Sequence, residues 1–317
     1  MEKANIIFMG TPEIAVPTLK KLNDKYNIQA VVTVPDKPKG RGLKLQYSPV
    51  KEAALELGLE VLQPIKMRDE DFVSAVKNYS PDIIVVFAFR ILPDIVYKAA
   101  KIASFNIHTS LLPKYRGAAP INWAVINGEK KTGLTTFILK DTVDTGDILL
   151  QHEIEILEDY TAGDLHDRMM FEAPDLAVKT CELLLSGKYE LKSQSQNDAS
   201  SAPKIFRENA KIDWNQDAVN VVNFINGYSP SPCAFAILND ETIKIYRAKV
   251  VSDSALNIGS YNNMKAGGFV IDNNSFYVKC GNGLAQIVEL QLQGKKRMLV
   301  KDFLCGYRGN KNGSFSL

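Results

Sequence analysis

Histidine is scarce in this chain of 317 residues: there are three, His108, His152 and His166, and no metal-ligand spacing links them. The four cysteines, Cys181, Cys233, Cys280 and Cys305, are scattered, with no Cys-x-x-Cys among them. That pattern predicts reduced thiols and argues against both a disulfide framework and a structural zinc. No apolar run approaches the roughly 20 residues that a membrane span needs. The start, Met1-Glu2-Lys3-Ala4-Asn5, lacks the pattern of a signal peptide, so a cytoplasmic location is expected. The first apolar run is not followed by Gly-x-Gly-x-x-Gly, which weighs against a nicotinamide enzyme. No internal repeat is seen.

The composition, 45% hydrophobic and 23% charged, is that of an ordinary globular chain, long enough for two domains. The net charge of +2 is unevenly spread. From Lys204 onward there are 14 Lys and Arg against 9 Asp and Glu, a net +5, which leaves −3 for residues 1–203. A basic C-terminal part fits a polyanionic partner; it fits a solvated basic face equally well.

The opening residues, 4–9, form an apolar run that stops at Gly10-Thr11-Pro12 and reads as a buried parallel strand. Pro12 and Glu13 start a helix to about residue 25, and residues 28–34 are a second strand. Strand, helix, strand is the beginning of a doubly wound sheet. Residues 68–79 are amphipathic and helical, and 82–88 are a continuous apolar run suited to a central strand. Residues 218–227 read as a helix capped by Gly227. Beyond 212 the texture changes to short strands, 232–238, 242–251, 268–272, 275–279 and 285–293, punctuated by Gly, Asn and Asp. Five such strands fit a small Greek-key barrel of OB type. The expected fold is therefore α/β, a Rossmann-like, mostly parallel sheet followed by an OB-like barrel. The expected division is 1–187, a polar linker 188–209, and 210–317.

One stretch concentrates the chemistry. Residues 102–108 read as a short strand, on which Asn106 and His108 point to the same face. An Asn amide can donate to an oxygen that becomes negative in a tetrahedral intermediate. An imidazole can move a proton between an incoming and a leaving nitrogen. Asp144, in the loop Asp141-Thr142-Val143-Asp144-Thr145-Gly146-Asp147, is the candidate carboxylate to orient and support that imidazole. His152 reads as a surface strand residue and His166 as a helix-face residue.

Asn106-x-His108, then Ser110-Leu111-Leu112-Pro113-x-Tyr115-Arg116-Gly117 and Asp144-Thr145-Gly146-Asp147, resemble the folate-dependent formyltransferases. So do Gly10-Thr11-Pro12-Glu13, Pro35-Asp36-Lys37-Pro38, Ser48-Pro49-Val50-Lys51 and Lys211-Ile212-Asp213-Trp214. The resemblance spans nearly the whole chain and implies transfer of formyl from 10-formyltetrahydrofolate, without a metal, to the α-amine of initiator methionyl-tRNA. It implies catalytic roles for Asn106, His108 and Asp144. It also implies a folate slot from Phe87, Ala88, Phe89, Ile91 and Leu92 together with Ser110, Leu111, Leu112 and Pro113. Here the chain departs from the common Ala-Tyr-Gly-x-Ile-Leu-Pro pattern, being one residue shorter with no counterpart of the Gly.

The loop 35–46 carries two prolines, two glycines and four cations, and reads as a basic arm for a phosphate backbone. Carried over from the family, Arg41 enters the acceptor end of the tRNA while Lys37, Lys39 and Lys44 neutralise phosphates. Lys204, Lys295, Lys296 and Arg297 are the matching expectation on the C-terminal domain. Nothing in the sequence demands more than a monomer. Three alternatives remain: a formyltransferase acting on a small amine (an amino sugar or glycinamide ribonucleotide), a formyltetrahydrofolate hydrolase, and a non-catalytic RNA-binding protein.

Overall fold

The computed structural model describes residues 3–39, 44–251, 261, 264–272 and 274–316. Within it the chain forms two compact units. The first holds Met1–Gly117, Thr132–Ile154 and His166–Ser201; the second holds Ala118–Lys131, Glu155–Leu165 and Ala202–Leu317.

The first unit is built on seven strands: β1 (Asn5–Gly10), β2 (Asn27–Val32), β3 (Val61–Leu62), β4 (Ile83–Phe87), β5 (Ala103–His108), β6 (Lys131–Ile138) and β7 (Ile148–Glu155). Their order is β7-β6-β5-β4-β1-β2-β3. The pairs among β1 to β5 are parallel, and β6 runs antiparallel to β5. Every residue of β4 is buried, whichever face it points to, which is why it reads as an unbroken apolar run. On one face Ile7, Met9, Ile84 and Val86 pack with Phe72, Val73 and Val76 of the amphipathic helix Glu70–Tyr79. Strand order reverses between β1 and β4, the switch point at which doubly wound sheets bind ligands beyond the carboxyl ends of the strands.

Two sequence motifs turn out to be one structure. In the helix that follows Pro35-Asp36-Lys37-Pro38, Pro49–Glu56, Ser48 is the N-cap, accepting from the Lys51 amide. Lys51 Nζ then reaches back to Asp36 Oδ2 at 2.5 Å and to Gln63 Oε1 at 2.8 Å, while Gln63 Nε2 donates to Asp36 Oδ1 at 2.8 Å. This cluster roots an antiparallel hairpin, Lys37–Lys39 with Lys44–Gln46. The basic arm thus has ordered strands where a plain loop was read. Arg41, the residue expected at its tip, lies outside the described residues.

The second unit packs helices Pro120–Ile126 and Ala218–Gly227 with an antiparallel sheet. Its strands Ala234–Leu238, Glu241–Val250, Leu284–Leu292, Ser275–Lys279 and Gly268–Asp272 lie side by side in that order. The sheet curls as a barrel does: Asn312–Ser314 pairs with one edge strand, and Ser316 N donates to Ile237 O, at 2.8 Å, on the strand at the other edge. Between these contacts Phe315 is buried and stacks on Trp214, centroids 5.3 Å apart.

Gly227 corrects an expectation. It lies inside its helix, whose C-cap is Tyr228. A Cβ at Gly227 would sit 2.4 Å from Ile126 Cγ1 and 2.9 Å from Ile126 N, so the glycine lets two helices meet closely instead of ending one.

Candidate active site

Pairing register assembles the site. Asn106 on β5 stands opposite Val86 on β4 and Phe137 on β6. All three line a cleft with Phe89, Arg90, Ile91, Leu92, Tyr97, Leu139 and the loop 140–144. The cleft holds about 520 Å³ of empty space, part of it open to solvent. The lining mixes these apolar side chains with Asn106, Asp141, Thr142 and Asp144, the mix expected of a small-molecule site.

His108 lies two residues beyond Asn106 and is buried. Its Nε2 is 2.9 Å from the carbonyl oxygen of Tyr115. A carbonyl only accepts, so Nε2 carries a proton, and in the neutral ring Nδ1 is the basic nitrogen. Nδ1 faces Asp144 Oδ2 at 3.9 Å, an ion-pair distance that is too long for a hydrogen bond. The same carboxylate oxygen accepts the Gly117 amide at 3.0 Å. Protonation at Nδ1 would therefore place a cation beside a carboxylate that is already held.

The loop geometry is demanding. Asp144 has φ +55°, a left-handed conformation that Asp tolerates better than most residues. A Cβ at Gly146 would fall 1.6 Å from the Ile138 carbonyl oxygen, so only glycine lets the Asp-Thr-Gly-Asp turn lie against its own strand.

The expected folate residues divide. Phe89, Ile91 and Leu92 line the cleft. Phe87 is wholly buried in the sheet, and Ala88 adopts φ +51° at the strand end. Residues 110–113 form a support behind the site. Ser110 Oγ donates to Lys114 O at 2.6 Å, Leu112 packs on Phe137 and Ile148, and Thr135 ties Ser110 O to the Leu112 amide.

Two cleft residues were not foreseen. Arg90 donates to the carbonyls of Pro64 and Ile65, closing one end. Tyr97 donates to Asp141 Oδ1 at 2.5 Å, and that bond pushes its phenol up to about 12. Both lie in the shortened segment or just after it, where no spacing rule applies.

The expected cations also differ. Lys295 and Lys296 are exposed, as is Lys37. Lys204 is also exposed, its Nζ lying 5.4 Å from the Phe206 ring centroid. The backbones of Lys39 and Lys44 pair across the hairpin. Arg297 is engaged internally: it grips Glu289 through Nε (2.5 Å) and Nη2 (2.6 Å) and lies 4.3 Å over the Tyr246 ring. A depression lined by Arg207, Lys244, Thr242 and Gln291 adds cations that charge counting alone did not locate. Among the described residues no cluster of three His, Cys, Asp or Glu could hold a metal, and no helix is long and apolar enough to cross a membrane.

Residues 4–181 match the family model described as formyl transferase, and 204–308 match the formyl transferase C-terminal domain. The chain belongs to the formyl transferase family. This formyltransferase is 43% identical over 305 residues to a protein of Clostridium novyi named methionyl-tRNA formyltransferase, covering 95% of this chain and 96% of the relative. A protein of Flavobacterium johnsoniae with the same name is 42% identical over 312 residues, covering 96% and 97%. Among solved structures it resembles WlaRD, a sugar 3N-formyl transferase crystallised with dTDP and 5-N-formyl-THF. The TM-score is 0.66 and the identity 21%, over 93% of this chain and all of that one, a likeness of fold.

Proposed function

We propose that this enzyme transfers the formyl group of 10-formyltetrahydrofolate to the α-amine of initiator methionyl-tRNA. The observation that carries the reading is near-full-length similarity, at 42–43% identity, to proteins named for that reaction. The apolar lining of Val86, Phe89, Leu92, Phe137 and Leu139 suits a flat heteroaromatic ring, and Asn106 stands between Val86 and Phe137. In the reaction the amine nitrogen bonds to the formyl carbon and the carbonyl oxygen gains negative charge, which the Asn106 amide stabilises. The bond from carbon to the folate nitrogen then breaks. The proton lost by the amine is returned to that leaving nitrogen, with Nδ1 of His108 as the group that relays it and Asp144 as the counter-charge. The exposed lysines and the hairpin strands Lys37–Lys39 and Lys44–Gln46 are the contacts for the tRNA backbone. A cytoplasmic monomer is the matching assembly.

The test is transfer of labelled formyl to initiator and elongator methionyl-tRNA by the wild type and by Asp144→Ala. Rapid, initiator-selective transfer that the substitution abolishes supports the reading. Formate release without transfer, or labelling of a small amine instead, overturns it.

A further inference from the structure

Gln194 belongs to the segment 188–209 that reads in the sequence as a plain tether, yet its side chain is built into the Asp144 loop. Its Nε2 lies 2.9 Å from the Asp144 carbonyl oxygen and 2.7 Å from that of Gly146. Its Oε1 accepts two bonds from Arg116, from Nε at 3.0 Å and from Nη2 at 2.7 Å. Arg116 also donates through Nη1 to Gln196 at 3.0 Å. The amide is thus saturated at both ends, and the guanidinium fixes which end faces the loop. The next residue along, Gly117, supplies the amide that holds the Asp144 carboxylate.

These contacts close a ring. Two consecutive residues hold Asp144 from opposite sides, one by the side chain directly and one by the backbone through Gln194. The backbone needs such holding, because a left-handed φ at a residue with a side chain is strained and persists only where its surroundings impose it. The 3.9 Å between Asp144 and His108 leaves little slack: drift by about 1 Å in a catalytic group can cost on the order of a hundredfold in rate.

We infer that Gln194, oriented by Arg116, is a positioning residue that sets the Asp144 carboxylate against His108. This rests on the reading of Asp144 given above. The amide is required for its two carbonyl contacts, so Gln194→Glu, which retains the shape and a partner for Arg116, fails as Gln194→Ala does.

The experiment is single- and multiple-turnover formyl transfer to methionyl-tRNA by Gln194→Ala, Gln194→Glu, Asp144→Ala and the double variant Asp144→Ala/Gln194→Ala, each checked for folding by thermal unfolding. Either Gln194 variant should lower kcat by roughly 10- to 100-fold. KM for folate and for tRNA should stay within about twofold, and Gln194→Ala should add nothing to Asp144→Ala, as expected of residues acting as one unit. A Gln194 loss that multiplies that of Asp144→Ala, a change in KM alone, or full activity in Gln194→Glu overturns the inference while leaving Asp144 catalytic. Full activity in Asp144→Ala overturns the reading of Asp144 and the inference with it.

Discussion

Around the cleft of the first unit, polar side chains are turned on one another. Arg116 holds Gln194, Gln194 holds the Asp144 loop, Tyr97 holds Asp141, and the Tyr115 carbonyl holds His108. The second unit is arranged the other way. Its interior is aromatic, with Trp214, Phe269, Phe276, Phe303 and Phe315 in mutual contact, while Lys295 and Lys296 face solvent. On the function proposed above, position governs the first unit, where a displaced atom would slow formyl transfer, and charge governs the second, where the exposed lysines would meet the phosphates of tRNA.

If this contrast holds, substitutions should sort by what they change. The largest effect is expected at the reacting groups. His108→Ala should reduce kcat by about 10²- to 10⁴-fold and Asn106→Ala by about 10²- to 10³-fold, in rapid-quench formyl transfer with unaltered thermal unfolding. Next, Trp214→Ala removes a side chain with no exposure from the aromatic core. It should cost about 3–5 kcal/mol in denaturant unfolding. If Trp214→Ala left stability intact and struck kcat, the two units would not differ as described. Smaller again, Lys295→Glu with Lys296→Glu should raise KM for tRNA at constant kcat. The salt dependence of kcat/KM should become shallower by about 1 in log–log slope per lost phosphate contact.

The smallest effect is a pH dependence at Asp36, whose carboxyl the Lys51 ammonium, and then Gln63, hold below the usual carboxylate range. A folded value below the unfolded one gives stability that is fully present above the ordinary value of about 3.9 and lost as pH falls through the lower folded value. Unfolding midpoints followed downward from about pH 5 should therefore decline more steeply in the wild type than in Asp36→Asn.

The fold was legible because its signals are local. Within the apolar runs, residues 6–9 and 83–87 are buried whichever face they point to, and the short strands after 212 alternate. Asn106 and His108 were legible because a strand places residues two apart on one face. What remained hidden depends on tertiary approach. Gly227 resembles a helix stop until Ile126 is seen against it. Gln194 lies 50 residues from Asp144 inside a polar stretch without periodicity. Arg90 enters the cleft from a segment whose length departs from the family pattern, and Tyr97 from the short helix just after it.

The hairpin root also fixes where the basic strands leave the sheet. Lys51 reaches Asp36 and Gln63, and Gln63 reaches Asp36, so the residues flanking Lys37–Lys39 and Lys44–Gln46 are joined by side chains. A lever is only as steady as its fulcrum: a small swing at the base grows with distance along the strands, and three cross-bonded side chains damp it where it starts.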